Sequence, residues 1–94
     1  MEITVHYFTV LRELTKKRQE KVKLREGSTV RDMLVVLAES YGARFKRHVS
    51  PQKGKKGLQL VLLLNNQDIT QLGGLKTTLH DGDKVSLILP IAGG

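Results

Sequence analysis

Val30, Met33, Leu34, Leu37, Ala38 and Tyr41 recur at offsets 0, 3, 4, 7, 8 and 11, which is one face of an α-helix. This is the clearest periodic signal in the chain. An apolar stripe of this kind has to be buried against a second layer, so whatever else the chain forms must supply a surface for it. Ser28 or Thr29 caps this helix, with Asp32 three residues after Thr29 in the capping-box arrangement. Gly42 is the expected stop. Met33 and Tyr41 are thereby expected in the core or at its edge.

The stretches on either side alternate as strands do. Over residues 1–8, Ile3 and Val5 alternate with Glu2, Thr4 and His6, a β-strand at period two. Val10, Leu11 and Leu14 suggest a short helical turn over its end, followed by a polar connection through residues 16–20. Val22 and Leu24 alternate with Lys21 and Lys23, giving a second strand that can pair with the first as a hairpin, and Glu26-Gly27 turns the chain into the helix. Residues 43–57, with Pro51, Gly54, Gly57 and little apolar periodicity, are expected as a basic loop. The nearly continuous apolar run 58–64 predicts a central strand. Asn65-Asn66-Gln67-Asp68 predicts a turn, Gly73-Gly74 a second one, and His80-Asp81-Gly82-Asp83 a third that feeds the last strand. In that strand Val85, Leu87 and Leu89 take the core face and Ile88 the other. The order predicts an α+β fold of the β-grasp (ubiquitin-like) type, a mixed sheet wrapped on one main helix. Its first and last strands lie parallel at the centre, with the helix in the crossover between them.

Length and composition limit the function classes. At 94 residues the chain is one domain, residues 1–94, with room for one core. It has no cysteine, which excludes disulfides, thiol nucleophiles and thiolate metal sites. The first residues lack the basic and apolar regions of a signal peptide, and the longest wholly apolar run, 60–64, falls far short of the roughly 20 residues that span a bilayer. A soluble, cytoplasmic protein with no membrane association is expected. The net charge of +7 is clustered: seven of the 16 Lys and Arg residues lie between Arg12 and Arg25 and six between Arg44 and Lys56. Such clusters can neutralise phosphates, but the second contains only Phe45 as an aromatic and offers no run of rings for stacking bases. A solvated basic surface is favoured over a nucleic-acid site, and steering toward an acidic partner is a further reading.

The last strand runs abruptly into Pro90, Ile91, Ala92, Gly93 and Gly94. Two glycines serve neither a helix nor a strand, because glycine loses the most backbone entropy on ordering and has no side chain to pack. They suit an extended tail that threads a narrow channel and delivers its α-carboxylate to a distant site, which makes Gly94 the candidate reactive group. From Pro90 such a tail reaches roughly 16 Å at about 3.3 Å per residue. A frayed terminus is the alternative. His6, His48 and His80 are not spaced for metal ligation. Turn chemistry accounts for His80, Asp81 and Asp83.

The segment Glu26-Gly27-Ser28-Thr29-Val30-Arg31-Asp32-Met33-Leu34, the opening with Tyr7-Phe8 and Leu11-Arg12-Glu13-Leu14, and the ending from Leu79-His80-Asp81-Gly82-Asp83 to Pro90-Ile91-Ala92-Gly93-Gly94 carry a family resemblance. Together they closely resemble the MoaD-like sulfur carriers, including the small subunit of molybdopterin synthase and the ubiquitin-like small archaeal modifiers. The Gly-Asp turn at a fixed short distance before Gly-Gly is its most specific part. The resemblance implies that Gly94 is adenylated by an E1-like enzyme and converted to a thiocarboxylate whose sulfur is passed on in molybdenum cofactor biosynthesis. It implies a tail of Ile91, Ala92 and Gly93 that inserts into the molybdopterin synthase large subunit, with Phe8, Ile88 and Ile69 as exposed apolar contacts. The chain would be a carrier and not an enzyme. The resemblance further implies that it binds no cofactor of its own and that the activating partner uses ATP and Mg.

Three functions of different class remain open on sequence alone. One is the sulfur carrier. A second is a ubiquitin-like modifier joined through Gly94 to lysines of target proteins, and the third a basic β-grasp module that binds RNA.

Overall fold

The computed structural model describes residues 1–49 and 60–89. Strand β1 (Glu2–Tyr7) is followed by a short helix α1 (Val10–Thr15), strand β2 (Gln19–Lys23) and the main helix α2 (Val30–Tyr41). A third helix α3 (Ala43–Val49) precedes β3 (Val61–Leu64), β4 (Gln67–Asp68), two 3₁₀ turns (Ile69–Gln71 and Gly74–Lys76) and β5 (Lys84–Ile88). The sheet order is β2-β1-β5-β3-β4. β1 and β5 are parallel, with Tyr7 level with Leu87, and the remaining pairings are antiparallel. This is the mixed sheet of a ubiquitin-like β-grasp.

Alternation along the strands decides which face is filled. Ile3, Val5 and Tyr7 of β1, Val85 and Leu87 of β5, and Leu62 and Leu64 of β3 are all buried, and they meet Val30, Met33, Leu34 and Leu37 of α2. Each such side chain removed from water contributes about 1.5–3 kcal/mol, so the seam between α2 and the sheet dominates the stability. The opposite sheet face carries Thr4, His6, Ser86, Ile88, Val61 and Leu63, all only half-buried.

The start of α2 is fixed as its sequence predicts. The Asp32 amide donates to Thr29 Oγ1 (3.3 Å) and the Thr29 amide to Asp32 Oδ2 (2.9 Å), which satisfies two donors the helix itself cannot pair. Thr29 also bridges to Thr78, and the Val30 amide donates to the Thr77 carbonyl at 3.0 Å, so this helix end is tied to the chain leading into β5. At the other end Gly42 adopts φ +87°, a conformation glycine reaches at little cost.

Two expectations are corrected. Residues 43–57 were expected as a loop, but residues 43–49 form α3, whose Phe45 and Val49, four apart, turn into the core while the basic residues between them stay outside. Two apolar positions are too few to register as periodicity, yet they seal the helix onto α2. Residues 50–57 lie outside the described residues. The expected turn 65–68 is shorter than predicted. Asn65 and Asn66, at φ +50° and +71°, make a two-residue hairpin turn, and Gln67 and Asp68 already pair with Leu64 and Leu63 as β4.

Candidate functional site: a sheet face at the base of the tail

β5 lies between β1 and β3 and leads to Leu89, the last described residue before the tail. Any force on the tail is therefore transmitted to a strand hydrogen-bonded on both sides. On the open face beside it, Ile88 sits level with Val61 of β3. Since Tyr7 is level with Leu87, Phe8 comes level with Ile88 on the β1 side. One row further in, Ser86 lies between Leu63 and His6. Phe8, Ile88, Val61 and Leu63 thus form a half-buried apolar patch next to the tail's root. The Arg12 guanidinium stands 5.9 Å from the centre of the Phe8 ring, a cation–π distance that holds the ring at the patch edge. His6 Nε2 is buried under this face with no hydrogen-bond partner among the described residues.

The turn before β5 is held from several directions. Asp83 accepts the His80 amide at 2.7 Å and the Asn65 side-chain amide at 3.0 Å, and Asp81 accepts the Glu2 amide at 2.7 Å. Gly82, at φ +86°, supplies the left-handed residue the turn requires. These contacts account for His80, Asp81 and Asp83 without catalysis, and they set the register of β5 against β1 and β3. Among the described residues no group of three His, Asp or Glu side chains is placed to hold a metal ion. No helix among them is long and apolar enough to cross a membrane.

The residues singled out from sequence fall in three places. Phe8 and Ile88 are brought together on the open face. Ile69, expected as a third exposed contact, is 6% exposed and belongs to the core, because the 3₁₀ turn after β4 rotates it inward. It offers a partner almost no surface. Gly94, Gly93, Ala92 and Ile91 lie outside the described residues.

One polar cluster escaped the sequence reading. The Tyr7 and Tyr41 hydroxyls both donate to Glu20 Oε2, while Lys17 Nζ donates to Glu20 Oε1 (3.1 Å) and to the Tyr41 hydroxyl oxygen (3.2 Å). Burial, and then the hydrogen bond to the Glu20 carboxylate, push the Tyr7 hydroxyl well above the usual tyrosine range, and the same two causes raise Tyr41. For Glu20 burial acts upward, but hydrogen bonds from Tyr41 and Tyr7 and the Lys17 ammonium outweigh it and hold the carboxyl below its ordinary value. The Tyr41 hydroxyl, then Glu20, raises Lys17. The cluster ties β1, β2 and the end of α2 together. Its signal was present in the alternation of β2, where Glu20 occupies the inward register of Val22.

Known proteins match along the whole chain. Small archaeal modifier protein 3 of Haloferax volcanii is 30% identical over 94 residues, covering all of both chains. The sulfur carrier protein CysO of Mycobacterium bovis is 30% identical over 95 residues, again covering all of both. The crystal structure of the Amycolatopsis orientalis BexX/CysO complex contains a chain that superimposes with a TM-score of 0.72 at 26% identity, covering 98% of this chain and 99% of that one. With a β-grasp whose central strand leads to the tail, relatives named as modifier and as sulfur carrier, and a family model matching residues 5–94, the chain belongs to the ThiS family of ubiquitin-like sulfur carriers and modifiers.

Proposed function

We propose that this protein is a sulfur carrier that works through the α-carboxylate of Gly94, with molybdopterin synthesis as the pathway that receives the sulfur. The observation that carries the reading is the course of β5: a strand paired on both sides ends beside the patch of Phe8, Ile88, Val61 and Leu63, and the sequence continues from Leu89 into the diglycine tail. A carboxylate with a pKa near 3.3–3.7 is ionised at neutral pH and is a poor electrophile. Attack of its oxygen on the α-phosphorus of ATP forms an acyl-adenylate and releases pyrophosphate. Hydrosulfide then attacks the carbonyl carbon, expels AMP and loses its proton to water, leaving a thiocarboxylate. ATP and Mg belong to the activating partner, an E1-like enzyme. This chain's own residues dock that partner and present the carbonyl carbon. The apolar patch suits such docking, since a cluster of this kind beside a threaded segment supplies the desolvated centre of an interface. That a related CysO chain forms a complex with BexX supports a partner-dependent role.

The same adenylate can be attacked by a lysine amine, and the relative named as a small archaeal modifier favours that as the second reading. Intact-mass spectrometry of the protein after incubation with an E1-like enzyme, ATP and a sulfur source distinguishes the two. Exchange of one terminal oxygen for sulfur, lost when Gly93 and Gly94 are deleted, is the expected result. An unchanged mass, with Gly94 found in isopeptide linkage to other proteins, would replace the carrier by the modifier. If neither product forms with a competent activating enzyme, the tail has no such role, and a salt-sensitive interaction of the basic clusters with RNA is the reading to pursue.

A further inference from the structure

On the side of the molecule away from the open sheet face, α2 and α3 enclose a groove of about 650 Å³. Arg31, Leu34, Val35, Ala38, Glu39 and Gly42 of the α2 segment form one wall. Their spacing follows one helix face over three turns, a length of roughly 16 Å at about 1.5 Å per residue. Ala43, Lys46 and Val49 form the other wall and Leu75 closes one end. The floor is apolar, and Val35, 50% exposed, is the most exposed large apolar side chain among the described residues. The rim is basic. Arg31 and Lys46 are exposed and form no ion pair among the described residues, and Glu39 is the one acid on the walls.

We propose that this groove docks an acidic amphipathic helical segment, about three turns long, of a partner protein. Charge complementarity selects the sign, and the apolar floor selects an amphipathic partner over a purely ionic one. It also argues against RNA. The aromatic rings beside the basic helix face inward: Phe45 is fully buried, with its ring centre 5.4 Å from that of Tyr41 and 6.2 Å from that of Tyr7. Among the described residues no ring lines the groove for a base to stack on, whereas apolar side chains of a helix would meet Val35, Ala38 and Leu75. Because the groove and the open sheet face of Phe8 and Ile88 lie on opposite sides of the domain, one protein can be held at each at the same time. The inference is independent of whether Gly94 carries sulfur or is joined to lysine.

The test is a titration of the ¹⁵N-labelled full chain with a synthetic peptide of about three to four helical turns, leucine at helical spacing on one face and glutamate elsewhere. A scrambled peptide of the same composition and a single-stranded RNA oligonucleotide serve as comparators. The expected result is chemical-shift change centred on Arg31, Val35, Ala38, Lys46 and Leu75 with the patterned peptide alone. Val35→Glu is expected to weaken binding about tenfold or more, and Lys46→Glu severalfold with a reduced dependence on salt. Both positions are exposed, so the variants should keep the wild-type circular dichroism spectrum. Four outcomes overturn the proposal. These are equal binding of the scrambled peptide, shifts centred on Ile88 and Phe8, RNA binding that Val35→Glu leaves unchanged, and peptide binding that appears only after residues 50–59 are replaced by a Gly-Ser linker, which would make that segment the occupant.

Discussion

Replacing Phe45 by alanine tests whether the basic segment after α2 is part of the folded core. Its ring is fully buried, stands edge-on to Tyr7 at 88° with centroids 6.2 Å apart, and lies 5.4 Å from the Tyr41 centroid. Truncating a buried phenylalanine costs about 3–5 kcal/mol, which includes about 0.5–1.5 kcal/mol for each aromatic pair lost. At about 0.05–0.15 kcal/mol per residue, a domain of 94 residues has roughly 5–14 kcal/mol in total. The substitution therefore removes about a fifth or more of the stability, and the melting temperature should fall by about 12 °C or more. Urea unfolding followed by circular dichroism reads this directly. Lys46→Ala, on the exposed side of the same helix, should stay within about 0.5 kcal/mol of wild type. Phe45→Leu, which keeps much of the volume, should cost less than the alanine variant and gives a readable value if that variant fails to fold. A loss below about 1 kcal/mol for Phe45→Ala, or an equal loss for Lys46→Ala, would mean that residues 43–49 do not pack on α2, and the groove between the two helices would go with them.

Four further outcomes are expected. Glu20 has its carboxyl lowered in the folded state, so its contribution is present above the ordinary carboxylate pKa and is lost as pH falls through the folded value; Glu20→Gln should flatten the acid limb of melting temperature against pH, and an unaltered limb would remove the cluster from that role. Tyr7 and Tyr41 are raised, so the opposite sign holds at high pH: stability should fall above about pH 10, where the unfolded tyrosines ionise and the folded ones do not, and a flat profile to pH 11 would contradict it. Thr29→Ala removes the acceptor for the Asp32 amide and should cost about 1 kcal/mol in urea unfolding, with Thr29→Ser recovering most of it. Ile88→Asp, on the open face, should lower the rate of adenylation by the activating enzyme about tenfold or more when assayed well below the variant's own melting temperature; normal activation would exclude the patch as the docking surface.

Elements whose pattern is local were legible in advance. The 30–41 helix with its Thr29 cap, the alternation of β1, β2 and β5, and the turn at Gly82 all follow from spacing within a few residues. Their order sufficed for the β-grasp, because a hairpin, a crossover helix and a last strand leave few ways to bury one apolar stripe. The outward direction of Ile88 also followed from strand alternation, whereas Phe8 comes level with it only through the parallel register of β1 and β5 in the folded sheet.

What depended on distant contacts was not legible. Ile69 looked like an exposed contact until the turn after β4 rotated it under the sheet. Phe45 and Val49 mean little as two apolar residues in a basic stretch, and become helix α3 only because α2 supplies the wall they pack on. The Tyr7–Glu20–Tyr41–Lys17 cluster joins residues up to 34 positions apart, which no window of sequence contains. Legible from the sequence were the main helix and the strand faces, because these depend on backbone periodicity within a few residues. Tertiary structure alone decided which apolar side chains are spent in the core and which stay open to a partner, because burial is a property of what the rest of the chain places on top of them.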